Sequence, residues 1–198
     1  MLHSDRLEED LKSILAKRKP KRIKDKGSVY TQASVLLPLF SKNSRHWILL
    51  IRRSTAVEYH KGEISFPGGV MEESDNSPEH TAKRETHEEI GVKEKDIKIL
   101  GQLDDITTVK SCFMVHPFVG SVPFPYDFHI NKREVDQLIE IPLQFFFDYS
   151  QPQSFAIKND GEGFETPAFI YNDNIIWGAT QRILENFITL IRSSTIYS

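Results

Sequence analysis

Between Arg84 and Val92 the chain reads RETHEEIGV, which puts Glu85, Glu88 and Glu89 within little more than one helical turn. Residues three and four apart on a helix are surface neighbours, about 5–6 Å from one another, so carboxylates at this spacing repel unless a cation compensates. Hard oxygen donors gathered on one face suit Mg2+ or Mn2+. The competing reading is a solvated acidic helix face, and spacing alone does not choose between the two. Arg84 stands one turn before Glu88 and is placed to pair with it. At about 100° per residue Glu89 projects nearest the apolar stripe of Ala82, Thr86 and Ile90, with Glu85 and Glu88 further round. Just upstream lie Pro67-Gly68-Gly69 and the polar loop VMEESDN. Two glycines after a proline mark a backbone of unusual φ/ψ or one that a ligand approaches closely. That context favours the cation reading.

The elements that must hold these residues follow from local signals. Ser77 is a good N-cap, Pro78 suits the first helical position and Glu79 the positive helix end, predicting a helix to Ile90 that stops at Gly91. Ala33–Phe40 and His46–Arg52 are apolar runs joined by the polar SKNSR, which reads as neighbouring buried strands, and Glu63–Phe66 is a short extended piece. Ile97–Leu103 and Cys112–Val122 read as strands, the latter at an edge or bulge because of Pro117. Arg133–Leu138 reads as a short helix. Ile176, Ala179, Thr180, Ile183, Phe187 and Ile191 share one face of a helix over Ile175–Ile191, and Leu7, Leu11, Ile14 and Leu15 mark another from Asp5 to about Lys17. Strands interrupted by good helices predict a mixed α/β fold with helices on both sheet faces.

At 198 residues, 39% hydrophobic and 27% charged, the chain suits a single globular domain with a substantial core. No run of 18 apolar residues occurs, so no membrane partner is expected. The opening residues lack a secretory pattern, the last four are neither a peroxisomal tripeptide nor a prenylation box, and Cys112 is the lone cysteine. The expected location is cytoplasmic. A net charge of −3 argues against nucleic-acid binding. The run KRKPKRIKDK, Lys17–Lys26, holds seven basic residues and one acid and reads as a solvated linker before it reads as a phosphate grip. These features divide the chain into an N-terminal helix and basic linker (1–31), a main domain (32–192) and a tail (193–198).

From Gly69 to Val92 the sequence resembles the Nudix box: Gly, five residues, Glu, seven residues, then Arg-Glu-U-x-Glu-Glu-x-Gly-U, with U bulky and apolar. Arg84, Glu85, Glu88, Glu89, Gly91 and Val92 match, with Thr86 at the first U position. The first half carries one extra residue, so the first acidic position falls on Asp75 counted forward and on Asn76 counted back. The coenzyme A branch of the family is similar in this lengthened loop, with Asp at the place of Asp75. Its upstream signature, Leu-Leu-Thr-x-Arg-Ser, three residues, Arg, three residues, Gly, three residues, Phe-Pro-Gly-Gly, corresponds to LLIRRSTAVEYHKGEISFPGG. Leu49, Leu50, Arg53, Ser54, Gly62, Phe66, Pro67, Gly68 and Gly69 fall in register, while Ile51 replaces the threonine and Glu58 the arginine. Gly101–Gly120 and Pro167–Leu184 are similar to the matching stretches of this branch, so the resemblance runs from about Gln32 to Ile191.

The resemblance implies a Nudix-type α/β/α sandwich with a mixed sheet between helices, and a metal-dependent hydrolase. Its substrate would be a small-molecule nucleotide, coenzyme A or a derivative, cut at the pyrophosphate to 4′-phosphopantetheine and adenosine 3′,5′-bisphosphate. Glu85, Glu88 and Glu89 would hold Mg2+ or Mn2+, helped by a carbonyl of Gly68 or Gly69, and Arg84 would orient the glutamates. The general base would be a helix glutamate, Glu88 being one candidate, or the distal acid Glu134, whose other reading is a surface acid. Arg53, Arg52 and Lys61 would meet substrate phosphate, the latter two standing in for the cation lost at Glu58. Trp177 reads as core or as an adenine platform; Phe124, Tyr126 and Phe128 read as a contact for a pantetheine arm or a second subunit, and a homodimer is left open. Two other functions stay in view: a Nudix pyrophosphatase acting on ADP-ribose, NADH or a dinucleoside polyphosphate, and a non-catalytic Nudix-fold ligand-binding module.

Overall fold

The computed structural model describes residues 6–25, 29–56, 61–108, 111–148, 153–159 and 162–194. In chain order the elements are α1 (Leu7–Lys17), β1 (Thr31–Lys42), β2 (Arg45–Arg53), β3 (Ile64–Ser65), β4 (Gly68–Val70) and α2 (Pro78–Ile90). Then come β5 (Lys98–Gln102), β6 (Ile106–Thr107), β7 (Phe113–Ser121), β8 (Val135–Pro142) and α3 (Leu143–Asp148). The chain closes with β9 (Gln153–Asn159), β10 (Glu162–Tyr171), β11 (Asn174–Trp177) and α4 (Gly178–Arg192). Among the described residues, eight strands form a mixed sheet with the central order β3-β2-β1-β7-β5; β4 pairs β1, β6 pairs β7 and β8 pairs β2. The β1–β7 pair is parallel and the others are antiparallel. A second, antiparallel sheet runs β11-β10-β9.

The apolar runs of β1 and β2 are continuous because both faces of the sheet are covered. Alternate residues then serve different layers. Leu36 and Phe40 of β1, with Leu49 and Ile51 of β2, join Ala82 and Ile90 of α2 in one core. Leu37, Leu39, Ile48 and Leu50 point the other way, into a core shared with α1, α3 and α4. The fold is an α/β sandwich with helices on both faces of the mixed sheet. Lys42 pairs with Arg45 across Asn43-Ser44, both at positive φ (52° and 57°), as a tight two-residue hairpin requires. No described helix is long and apolar enough to cross a membrane.

Several local expectations change on folding. Residues 133–138 are not helical: Asn131–Glu134 turn, and Val135 opens β8, antiparallel to β2. Their apolar spacing resembles a helix, but pairing along β2 satisfies this backbone. Pro117 lies in the interior strand β7, where the carbonyl of Pro117 accepts from the Leu103 amide. A strand residue's nitrogen and carbonyl point the same way, so its missing N–H faces the gap between β5 and β6. The last helix begins at Gly178, because Asn174–Trp177 pairs with β10 as β11. Trp177 precedes that helix, with its ring edge-on to Phe164 at 6.0 Å. Phe124 stacks on Phe40 at 5.0 Å, and the Tyr126 hydroxyl accepts from the Lys93 amide and donates to Asp96. This aromatic segment therefore packs on the chain's own core.

The N-terminal segment is also tied down. Leu7, Leu11 and Leu15 of α1 are buried in the main core, with Leu15 lying over Gly101 of β5. Beyond α1 the basic run is not simply solvated: Arg18 pairs with Asp104, and Arg22 donates to Asp105 at 3.0 Å. The amides of Lys21 and Ile23 also donate to Asp104 (2.7 Å) and Asp105 (3.1 Å). Leu11 has no exposed surface. Truncating a buried leucine to alanine costs about 2–5 kcal/mol, so Leu11→Ala should lower the unfolding free energy by an amount in that range in urea titration. A change within 0.5 kcal/mol, typical of surface substitutions, would show that α1 is peripheral to the core.

Candidate active site

The site grows from α2. Ser77 caps it by accepting the His80 amide at 3.1 Å, Pro78 opens it, and Gly91 (φ 78°) ends it, with its N–H on the His87 carbonyl. The buried side of the helix carries Thr81, Ala82, Thr86, Glu89 and Ile90, so Glu89 faces inward as its angular position predicts. Opposite it runs β4, where Gly68 and Gly69 pair with Val35 and Ser34 of β1. Gly68 has φ 154°, and a Cβ there would sit 2.3 Å from the Ser34 carbonyl oxygen. A Cβ at Gly69 would lie 2.5 Å from the Glu85 carboxylate. The bare backbone of this loop thus lets two glutamates approach, and Gly68 N–H donates to Glu89 Oε2 at 2.9 Å.

Arg84 organises the outer side. Its Nε and Nη2 grip both oxygens of Asp75 (3.0 and 2.9 Å), Nη2 also reaches the Val70 carbonyl (3.1 Å), and Nη1 donates to Glu85 (2.9 Å) and Glu88 (3.1 Å). Asp75 is buried and also accepts from the Glu72 amide (3.0 Å) and the Thr81 hydroxyl (2.9 Å). The Arg84 hydrogen bonds, aided by these donors against the opposing effect of burial, hold its carboxyl well below the usual carboxylate range. The same partnership raises the Arg84 guanidinium above its already high value. The extra loop residue leaves the acidic position of the box filled by Asp75.

A third carboxylate arrives from a distant segment. Glu134 precedes β8; its carbonyl accepts the Ser54 amide at 2.8 Å and its carboxylate accepts from Asn131 Nδ2 at 3.0 Å. One carboxylate oxygen each from Glu85, Glu89 and Glu134 lie within 4.8 Å of one another. The Glu89 side chain is only 1% exposed and, among the described residues, pairs with Arg53 Nη1 at 3.6 Å. Burial, outweighing the Gly68 N–H and Arg53 and reinforced by Glu85 and Glu134, pushes Glu89 up to about 8. Burial likewise raises Glu85 against the pull of Arg84, and Glu88 and Glu134 add to the rise. Three converging hard oxygen donors with too little local positive charge fit a divalent cation.

The structure thus brings Glu85, Glu89, Glu134, Arg53, Arg84, Gly68 and Gly69 together. Glu88 stands apart from the three-carboxylate group, its side chain 50% exposed and paired with Arg84. Arg52 turns to Asn174 Oδ1 at 2.8 Å. Lys61 is exposed, with no hydrogen bond or ion pair to the carboxylates among the described residues, and Glu58 lies outside those residues. Asn131 was not singled out from the sequence, although asparagine is a turn former whose side chain takes the amide two residues on, as it does here with Arg133. A separate cavity of about 620 Å3, lined by Arg22, Gln32, Asp105, Met114, His116 and Phe118, holds none of the expected site residues.

The NUDIX domain family matches residues 30–154, more than half of the chain. The chain belongs to this family. It is 33% identical over 165 residues to the Nudix hydrolase NudL of Photorhabdus laumondii, covering 83% of this chain and 86% of that one. NudL of Yersinia enterocolitica is 36% identical over 152 residues, 77% of each chain. A MutT/nudix family protein of Enterococcus faecalis shares the fold, with TM-score 0.53 and 15% identity over 94% of this chain and 70% of that one. This chain is a Nudix hydrolase. Such hydrolases generally use divalent metal ions, and the carboxylate group described above offers suitable donors.

Two outcomes test this Nudix site. Because Asp75 titrates lower folded than unfolded, its stabilisation is complete above the unfolded value, near pH 4, and is lost as pH falls toward the folded one. Wild-type stability should therefore fall more steeply on acidification below about pH 5 than that of Asp75→Asn in urea titrations; parallel curves would contradict the assignment. Gly69→Ala should fold yet lose most of its divalent-ion binding, measured calorimetrically, because its methyl displaces Glu85.

Proposed function

We propose that this Nudix hydrolase cleaves the pyrophosphate of coenzyme A or its derivatives, releasing 4′-phosphopantetheine and adenosine 3′,5′-bisphosphate. One observation carries the reading: residues of the upstream signature and of the box meet at one site. Arg53 approaches Glu89 at 3.6 Å, Gly68 binds Glu89 through its amide, and Gly69 abuts Glu85. The relatives in two bacteria support a hydrolase without naming its substrate.

In the proposed reaction a water oxygen adds to one phosphorus of the P–O–P link. The bridging P–O bond breaks, its electron pair leaves on the other phosphate, and the water's proton passes to a carboxylate of the site. Glu85, Glu89 and Glu134 would hold Mg2+ or Mn2+. The bound ion would supply positive charge against the phosphate oxygens and orient the nucleophile. Arg84 fixes Glu85 in place through its Asp75 anchor, and the Gly68 amide fixes Glu89. Arg53 is the signature cation nearest the carboxylates and the one assigned here to substrate phosphate. Arg52, held by Asn174, and the exposed Lys61 are not assigned that contact.

Incubating the purified protein and Mg2+ or Mn2+ with coenzyme A, ADP-ribose, NADH and diadenosine polyphosphates, and resolving products chromatographically, tests the reading. Preferential release of 4′-phosphopantetheine supports it, and preference for another compound overturns the substrate assignment. Binding without turnover of any compound would favour a ligand-binding module. Glu89→Gln should keep the fold and lose more activity than the roughly 10–100-fold typical of removing a group that only supports a metal ligand.

A further inference from the structure

The side chain of Asn131 has two partners, and one of them is a carboxylate of the site. Its Nδ2 donates to Glu134 Oε1 at 3.0 Å, while its Oδ1 accepts the Arg133 amide at 3.2 Å. The orientation is determined by the network, because the reverse would set an oxygen against the Glu134 carboxylate and an N–H against an N–H. The Asn131 backbone does a separate job. Its N–H donates to the Glu89 carbonyl at 2.9 Å, and its carbonyl accepts the amides of Glu134 (3.0 Å) and Val135 (2.8 Å). The backbone therefore docks this turn on the C-terminal end of α2. The side chain aims the carboxylate.

Glu134 needs such an aim. Glu85 and Glu89 are spaced by the helix that carries both, whereas Glu134 enters from a turn 45 residues beyond Glu89. A freely rotating glutamate there would turn away from two like charges.

We propose that Asn131 is a positioning residue that fixes Glu134 as the third carboxylate for a divalent cation; this rests on the reading of Glu85, Glu89 and Glu134 as the metal-binding group. Asn131→Ala keeps the backbone–backbone hydrogen bonds of the turn, gives up the acceptor for the Arg133 amide and removes the aim. Removing such a supporting group typically weakens metal binding 10–100-fold.

The test is Mn2+ binding to the full chain without substrate, followed by electron paramagnetic resonance, for wild type, Asn131→Ala, Glu134→Gln and the double variant. The expected result is a loss of about 10–100-fold for Asn131→Ala, and little further loss when it is added to Glu134→Gln, since both act through one carboxylate. Should the alanine variant fail to fold, Asn131→Ser keeps an acceptor for the Arg133 amide but is too short to hold Glu134, and the same loss is expected. Wild-type affinity in a folded Asn131 variant, losses that simply add, or an unaffected Glu134→Gln each overturn the proposal while leaving Mn2+ binding by the wild type intact. A wild-type chain that takes up no Mn2+ overturns the metal-site reading as well.

Discussion

Three carboxylates held within 4.8 Å of one another repel, and the fold offsets only part of that repulsion. Glu89 bears the largest share because its side chain is almost entirely withdrawn from water. One amide from Gly68 and one guanidinium at 3.6 Å do not cancel the cost, and its proton is therefore held tightly. Glu85 is better served by Arg84, and Arg84 is held in turn by the buried Asp75. A chain of charges thus runs from a structural pair to a functional group, and the positive charge diminishes along it. An uncompensated acid at the inner end is costly to a protein without a ligand and useful to one that captures a cation. That imbalance is what distinguishes this cluster from an ordinary acidic surface, where water screens each charge separately.

Holding like charges together also demands stiffness, and α2 has it because both its ends are fixed. Ser77 caps the N-terminus; at the other end the amides of His129 and Asn131 take the carbonyls of Ile90 and Glu89. The lengthened loop before the helix does not loosen this frame. Asp75 closes a local turn, donating its amide to Glu72 and accepting the Glu72 amide in return, so the additional residue is absorbed before the acid reaches Arg84. Counting along the sequence left the acidic position divided between Asp75 and Asn76. The difference between them is burial and geometry: Asp75 is enclosed with both oxygens on Arg84, and Asn76 is exposed.

The helix, its caps, the glycine loop and the pairing of Arg84 with the glutamates were legible because each depends on residues within a few turns of one another. Glu134 was reached only through the family resemblance, as a distal acid and not as a neighbour of Glu85 and Glu89, since it meets them only after β8 has paired with β2. Val135, Leu138 and Ile139 lie at helical spacing, and the chain reads as a helix until the neighbouring strand is known. Which of Glu88 and Glu134 stands beside Glu85 and Glu89 depends on the same long-range information. Sequence spacing makes Glu88 an equal of its neighbours, but one residue rotates it by about 100° from Glu89, and the packing of α2 leaves it half in water. The basic run is largely exposed, as its composition predicts, but the partners of two of its arginines were hidden for a related reason: Asp104 and Asp105, which hold Arg18 and Arg22, lie more than eighty residues away in the chain.

The two consecutive arginines at the end of β2 show how fold and chemistry constrain each other. Neighbouring residues of a strand point to opposite faces, so Arg52 and Arg53 cannot both enter one site. Arg52 goes to Asn174 of β11, joining the large sheet to the small one, and Arg53 goes to Glu89. The β2–β8 register shifts between these two residues, leaving Asp136 of β8 without a partner on β2, next to where the Ser54 amide donates to the Glu134 carbonyl. From either side of this irregularity Arg53 and Glu134 both reach the Glu89 carboxylate. A substitution that restored regular pairing there would move Arg53 and Glu134 together.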